Sequence, residues 1–557
     1  VRRALRAEEE RHYADFKMGD RAMPDLSPSV APRLACGAIL VLGAAVALQG
    51  CEGGDVANFN ELLFVSDSLT VTSYSTTSNS ATPLGTATIP GIPGTYSRAG
   101  SLVTVTMQNH NLVNGTPVAL DFSAGTGGTA TDGVYVPTTV DDHTFTVTDT
   151  ASGAITGGTL LRAPALTRTA SYAQAGTTVT VTMVGHGMTN GDDVRLTFSS
   201  GGAVDGDFTI SVVDPDTFTA AAAAALTTSG VVDVTFGHNY TIFGMAMHPT
   251  GRWLYAASTY ECFSGNPYCW GSDLISRFAI DWSSGALTFE KSFRTADDAT
   301  NSASPVALAF SADGTRLVHQ DDDLDGLRLW DVDVNTGELT LVAASAPGTT
   351  GNHGIALTAD AARGYHGTSV FTIGASTIDR TVSGSTGSST QIVNGTLFTL
   401  IGGGNSTLRA YALTDPDLPA QVAQSAITPH QARDFAVAPN GSTIVTSGFH
   451  GLKSYTFDGT SIVPAVGAGS TEYTDGGVAF PGPFIVRVYR TMSLNAAGDQ
   501  CAAAYFTTGA SNAIGGTPPS GFILLSVAAD GSLTFGADFP TANYARVARF
   551  YSNPAAP

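Results

Sequence analysis

Pro305-Val306-Ala307-Leu308-Ala309-Phe310 is followed by Ser311-Ala312-Asp313-Gly314, then by Thr315-Arg316-Leu317-Val318. Gly326-Leu327-Arg328-Leu329-Trp330-Asp331-Val332 and Gly337-Glu338-Leu339-Thr340-Leu341 complete the stretch. It reads as four short apolar strands joined by a tight Asp-Gly turn, an acidic loop and a Gly-x-Leu-Thr turn. The same phrase recurs from Gly237 to the C-terminus, with turns at Pro249-Thr250-Gly251, Pro439-Asn440-Gly441 and Ala497-Gly498-Asp499. Its closing turns recur at Gly285-Ala286-Leu287-Thr288, Gly459-Thr460-Ser461-Ile462 and Gly531-Ser532-Leu533-Thr534. Four strands in roughly 40–50 residues is the size of one propeller blade.

The chain ends suggest how such a ring closes. Ala545 to Tyr551 reads as the first strand of a blade with nothing after it but a short tail. Glu61–Ser66, Leu69–Tyr74 and Thr82–Ile89 read as the second, third and fourth. A split blade joining the two ends would leave no open sheet edge. The other blades begin near Tyr240, Pro305, Gly354, Gln391, Arg433 and Val486. The expected fold is therefore all-β: a seven-bladed β-propeller closed by N- and C-terminal strands, with six or eight blades as the alternatives. The expected segments are 1–51 as leader, 52–92 as first-blade strands, 93–165 and 166–235 as two inserted β-modules, and 236–557 as the remaining blades.

The inserted segments repeat each other. Tyr96 to Met107 matches Tyr172 to Met183, and His110, Asn114-Gly115, Leu120 and Phe122 recur as His186, Asn190-Gly191, Leu196 and Phe198. Alternating apolar residues and Asn-Gly turns argue small β-modules. They resemble short β-repeats of phage tail and bacterial surface proteins, and the small β-barrel module of ubiquitin-activating enzymes. The latter resemblance implies no ubiquitin chemistry. His110 and His186 fall at one equivalent turn and are read as structural.

Asp and Glu number 47 against 26 Lys and Arg. With no basic stripe to displace counterions from phosphates, nucleic acid is excluded as the expected partner. Leu34 to Gly50 is a run of apolar and small residues ending in Leu48-Gln49-Gly50-Cys51. It resembles a bacterial lipoprotein signal with its lipobox. That resemblance implies cleavage before Cys51, acylation of its thiol and a membrane held through the lipid. An ordinary secretory signal or an N-terminal anchor are the competing readings. Glu52, rather than Asp, follows the cysteine and points to the outer membrane of a Gram-negative host. The acidic Glu8-Glu9-Glu10 segment does not suit a signal n-region, so the expected start is Met18 or Met23. In an exported protein, Cys262 and Cys269 read as a local disulfide and Cys501 as a buried thiol.

Propeller sites commonly sit where loops enter the innermost strands. The polar residues there are His238, His353, His430, Arg433, Arg487, Arg490 and Arg546. The phrase, with a His ahead of the inner strand and Pro-Asn-Gly or Ala-Asp-Gly after it, resembles the lactonase family of seven-bladed propellers. That family includes propeller-type 6-phosphogluconolactonases. The resemblance covers residues 60–89 and 237–557. His353 and His430 match the family's pre-strand His best, and a full catalytic set is not matched; the candidate catalytic residues are His353, His430, Arg433, Arg487 and Arg490, with His238 and Arg546 as candidate ligand-binding residues. A His or carboxylate would activate water and Arg would stabilise an oxyanion. The paired His run of such sequences is absent; Asn352-His353 and Pro429-His430 each keep one His. For each His the structural alternative is a bond to a neighbouring blade's carbonyl.

Asp321, Asp323 and Asp325, before Gly326, have the alternation that wraps calcium, although Val332 stands where a calcium loop ends in Glu. Calcium and a solvated acidic hairpin are the two readings, and no other cofactor is required. No P-loop, dinucleotide fingerprint, serine elbow or HExxH is present. The expected function is a surface binding or scaffold module for a glycan, peptide or protein. The alternatives are a lactonase-type hydrolase and a calcium-stabilised adhesin.

Overall fold

The computed structural model describes residues 59–555 apart from 78, 108, 109, 111, 113, 115–117, 142, 163, 164, 185, 187, 189, 192, 238, 239, 261–273, 296–304, 322–325, 345–353, 383–388, 402–405, 428–431, 449, 450, 468, 469, 471, 475–485, 509–519 and 542–544. The regular elements are β-strands arranged in antiparallel sheets, a propeller-like all-β fold. Seven of these sheets are four-strand meanders, one with a fifth short strand, Glu472–Thr474. Sheet 1 is split: Ser80–Thr88, Thr70–Thr77 and Glu61–Asp67 are joined by the last strand of the chain, Ala545–Ser552. Leu62 lies opposite Tyr551 and Leu63 opposite Phe550. Sheets 2 to 7 follow within 240–294, 305–344, 356–382, 389–427, 432–474 and 486–541.

The seven first strands pack on one another in a closed circuit: Ala545–Ser552, Tyr240–Met247, Pro305–Phe310, Ala356–Leu357, Ser389–Val393, Ala432–Val437, Val486–Leu494 and back. Each sheet is thus covered on both faces, which explains the sequence of its middle strands. Leu62–Val65 and Leu254–Ser258 are continuously buried rather than alternating, as a strand covered on both sides requires. The outermost strands, such as Leu533–Thr541, return to partial exposure.

Hydrogen bonds cross every junction of the circuit. Tyr551 Oη donates to the Met245 carbonyl at 2.6 Å, and His248 Nε2 to that of Gly314 at 3.1 Å. Arg316 reaches the Ala375 carbonyl at 3.0 Å and Tyr365 that of Pro416 at 2.9 Å. Gln391 donates to the Phe435 carbonyl at 2.7 Å and accepts from the Val437 amide at 3.1 Å. Ser454 reaches Gly531 at 2.5 Å, and Thr491 Oγ1 reaches the Arg546 carbonyl at 2.8 Å.

These bonds give the Gly-x-Leu-Thr turn its physical meaning. Gly285, Gly337 and Gly531 accept hydroxyl hydrogen bonds from Ser73, Tyr255 and Ser454 of the preceding sheet. All three have left-handed backbones, with φ of 73°, 70° and 83°. A Cβ at Gly337 would lie 2.8 Å from both Tyr255 Oη and Arg277 Nη1. Glycine is therefore required twice, by conformation and by space.

Between sheets 1 and 2 lie a seven-stranded sheet within 92–162 and a four-stranded sheet within 165–237. They share one set of internal bonds. His110 and His186 each bond a strand-end carbonyl, of Asp141 at 2.8 Å and Asp214 at 2.9 Å. Each ring also accepts a backbone amide on Nδ1, from Leu112 and from Met188, both at 3.0 Å. Both histidines are buried.

Gly337→Ala should lose about 2–3 kcal/mol of stability, combining φ strain with displacement of Tyr255. Gly459→Ala, with φ of 94° but open space around the added Cβ, should lose only about 1 kcal/mol. Urea melts of both variants check this, and equal losses would remove the packing component.

Candidate functional site

Strand direction divides the ring into two ends. The tight turns, including Asp313-Gly314 and Gly337, occupy one. At the other, second strands hand over to third strands and each sheet connects to the next; we call this the mouth. Along several second strands the buried side chains change in kind. Leu254, Tyr255, Leu317, Val318, Ile444 and Val445 are buried toward the turn end. Further along those strands, at the mouth, the buried residues become Ser258, His319, Gln320, Thr446 and Ser447. Arg328, His366, Ser369 and Ser406 continue the series on neighbouring strands. Buried polar residues also stand at the turn end, among them His248, Ser311, Thr443 and Gln500, and at either end burying a polar group costs free energy unless partners are supplied.

His319 shows how such a group is held. It is fully buried, and its Nδ1 accepts the Trp330 Nε1–H at 2.8 Å. In the neutral ring this leaves the proton on Nε2. Burial, assisted by the Arg328 charge, holds its pKa well below the ordinary histidine range.

The first strands carry a second pattern. Their register slips by one residue near the mouth, at Phe243, Val306, Arg433, Arg490–Thr491 and Arg546–Val547. An extra residue of this kind re-aims the chain and is frequent beside functional sites. Bonds between strands show that three of these positions correspond. The Met492 amide donates to Asp434 Oδ2 at 3.0 Å, and the Ala548 amide to Thr491 Oγ1 at 3.1 Å. In each case the amide two residues after an arginine meets the side chain one residue after the previous arginine. Arg433, Arg490 and Arg546 thus occupy one position on three consecutive strands.

Arg546 is buried, its guanidinium carbon 4.3 Å from the centre of the Phe243 ring. Arg433 is half-buried. Deeper in the ring, Asp434 meets Arg549 at 3.4 Å, and Arg549 also donates to the Met492 carbonyl. Burial raises the Asp434 pKa and the Arg549 charge opposes that rise. The thiol of Cys501, buried as expected, is pushed up by burial and by the Asp434 charge.

Of the sequence-predicted site residues, Arg433 and Arg546 are brought to the mouth on corresponding strand positions. Arg487 and Arg490 lie on Val486–Leu494, and Asp321 ends Arg316–Asp321. His238, His353, His430, Asp323, Asp325, Cys51, Cys262 and Cys269 lie outside the described residues. Among the described residues no group of three or more His, Cys, Asp or Glu could hold a metal, and no helix is long and apolar enough to cross a membrane. The sequence reading missed His319, His366, Asp434 and Arg549. One available signal was Asp434 directly after Arg433 on an otherwise apolar strand.

No protein-family model and no curated protein matches the chain. Among solved structures it is similar to a candidate 6-phosphogluconolactonase of Bacteroides fragilis at 13% identity and a TM-score of 0.41, covering 65% of this chain and 98% of that one. A second such candidate, from Bacteroides uniformis, has 13% identity and a TM-score of 0.41, over 65% and 100% of the two chains. The WD40 repeats of RRP9 have 13% identity and a TM-score of 0.38, over 57% and 86%. Nothing about this chain's chemistry follows from likenesses of this degree.

The His319 geometry sets a pH dependence. Its folded pKa lies below the ordinary 6.5, so below that pH the unfolded chain takes up a proton that the native ring refuses. This stability contribution is complete above pH 6.5 and is lost progressively on acidification. His248, also lowered by burial, acts in the same direction. His319→Gln should lower Tm at pH 7.5 yet lose less Tm than the parent between about pH 7.5 and 5.5. Parallel thermal melts check the difference in slope.

Proposed function

We propose that this chain is an exported, lipid-anchored, seven-bladed β-propeller that holds a ligand at the mouth of its ring and serves as a surface binding module. The seven meander sheets are its blades, and the two sheets within 92–162 and 165–237 are inserted modules. The observation that carries the reading is the set of buried polar side chains at the mouth, Ser258, His319, Gln320, Arg328 and His366 among them, beside first strands whose register slips. The modules suit this role because Thr88 and Tyr240, the strand ends on either side of them, both lie at the mouth.

The lipobox-like sequence ending at Cys51 supports the anchor. The described chain begins at the turn end, where the Phe59 amide donates to the Trp282 carbonyl at 2.9 Å and the Asn553 amide to that of Asn60 at 2.8 Å.

Intact mass of protein extracted from bacterial membranes should show acyl chains on Cys51, and Cys51→Ala should move the protein to the soluble fraction. An unacylated, soluble parent protein overturns the anchor. Turnover of a lactone panel by the purified protein would replace the binding module with a hydrolase.

A further inference from the structure

We propose that a cavity between sheets 4 and 5 binds a small amphiphilic carboxylate, with an aryl or branched-alkyl group in the cavity and the carboxylate on Arg409 and Thr399. The site is separate from the mouth and does not depend on the mouth-binding reading.

The cavity holds about 150 Å³, and its apolar walls are Val382 of sheet 4 and Leu397, Tyr411, Leu418 and Pro419 of sheet 5. An apolar void of that size takes a group as large as a benzene ring. Leu418, two-thirds exposed, stands where the cavity meets solvent. Asp417 also lines it and is already engaged. Arg363 donates to both of its oxygens, Nη2 to Oδ2 at 2.9 Å.

The polar end follows from the strand register. Leu397 lies opposite Tyr411 on the second and third strands of sheet 5, and the next pair on that face is Thr399 with Arg409. Thr399 is fully buried, and its Oγ1 has no hydrogen-bond partner. Arg409 is half-buried, and its Nε has no partner either. A buried donor left without an acceptor is costly and calls for an explanation. A chain of formal net charge −21 has acids to spare, yet among the described residues none pairs with this guanidinium.

These two rows define the ligand. One row lies about 6.6 Å from the next along a strand, so a carboxylate joined to a ring by a short alkyl link comes within reach of an arginine side chain. The planar guanidinium fork matches the two oxygens of a carboxylate, and the Thr399 hydroxyl adds a donor. Asp417 stands at the turn end of the cavity and Arg409 lies toward the mouth. That polarity repels an anion from the first and draws it to the second.

Isothermal titration of the full chain tests this with four probes: 3-phenylpropanoate, phenylacetate, neutral 3-phenylpropanol and acetate. At least one aryl acid should bind at millimolar concentration or tighter. The alcohol and acetate should each bind roughly tenfold more weakly or not at all. Arg409→Gln should lose the advantage of acid over alcohol. Leu418→Gln, at an exposed position, should weaken both aryl probes. Lys291→Gln, which removes a cation paired with Glu338 between sheets 2 and 3, should change nothing. If Arg409→Gln does not melt cooperatively, Arg409→Lys replaces it; keeping the charge without the fork, it should weaken acid binding severalfold. Alcohol binding as tight as acid binding overturns the carboxylate assignment. Acid binding that survives both Arg409 variants removes Arg409 from the site and overturns the proposal. No binding of either aryl acid by the folded parent protein overturns it as well.

Discussion

The fold rests on one pairing, between the last strand, Ala545–Ser552, and Glu61–Asp67, more than 480 residues earlier in the chain. Without it, Glu61–Asp67 and the flanks of sheets 2 and 7 would be open edges and uncovered faces. With it, every first strand has a neighbour on each side. The closing strand is held beyond its own ladder. Thr491 bonds it at two points, and Arg549 reaches to Asp434 two sheets away. A buried ion pair is costly to desolvate, and its net contribution is small when hydrogen bonds do not complete it. Here the Met492 amide and carbonyl supply those bonds. The pair thus specifies where the closing strand stops, while apolar burial around Leu63, Val65, Ala548 and Phe550 supplies most of the driving force.

Closure also separates the ring's two ends. Glycines at the turn end let neighbouring sheets approach until hydroxyls meet backbone carbonyls. At the mouth the first strands bulge, and polar and cationic residues take the place of the apolar core. The turn end thereby fixes the sheets against one another.

Much of the fold was legible because its requirements are local. Positive-φ glycines recur at three of the contacts between sheets, so Gly285, Gly337 and Gly531 stand out at matching distances from their strands. The closing strand was readable because Ala545 to Tyr551 has a buried strand's composition and complements the three strands read between Glu61 and Ile89. Paired histidines His110 and His186 disclosed a repeated module for the same reason. The bulges were not legible, since one extra residue leaves the apolar pattern nearly unchanged. Nor was the Asp434–Arg549 contact, which joins residues 115 apart through the register of three strands. The arginines could be picked out singly, but their correspondence follows only from bonds between neighbouring sheets. His319 was hidden inside a strand that otherwise reads as core.

Hydrogen exchange of the intact protein, followed by mass spectrometry, tests ring closure most directly. The amides of 545–552 and 61–67 should exchange together with the middle strands of sheets 2 to 7, at the rate of global unfolding, although one segment lies at the very end of the chain. Rapid exchange across 545–552, with the other sheets still protected, would show that the terminal strand does not close the ring and would contradict the account.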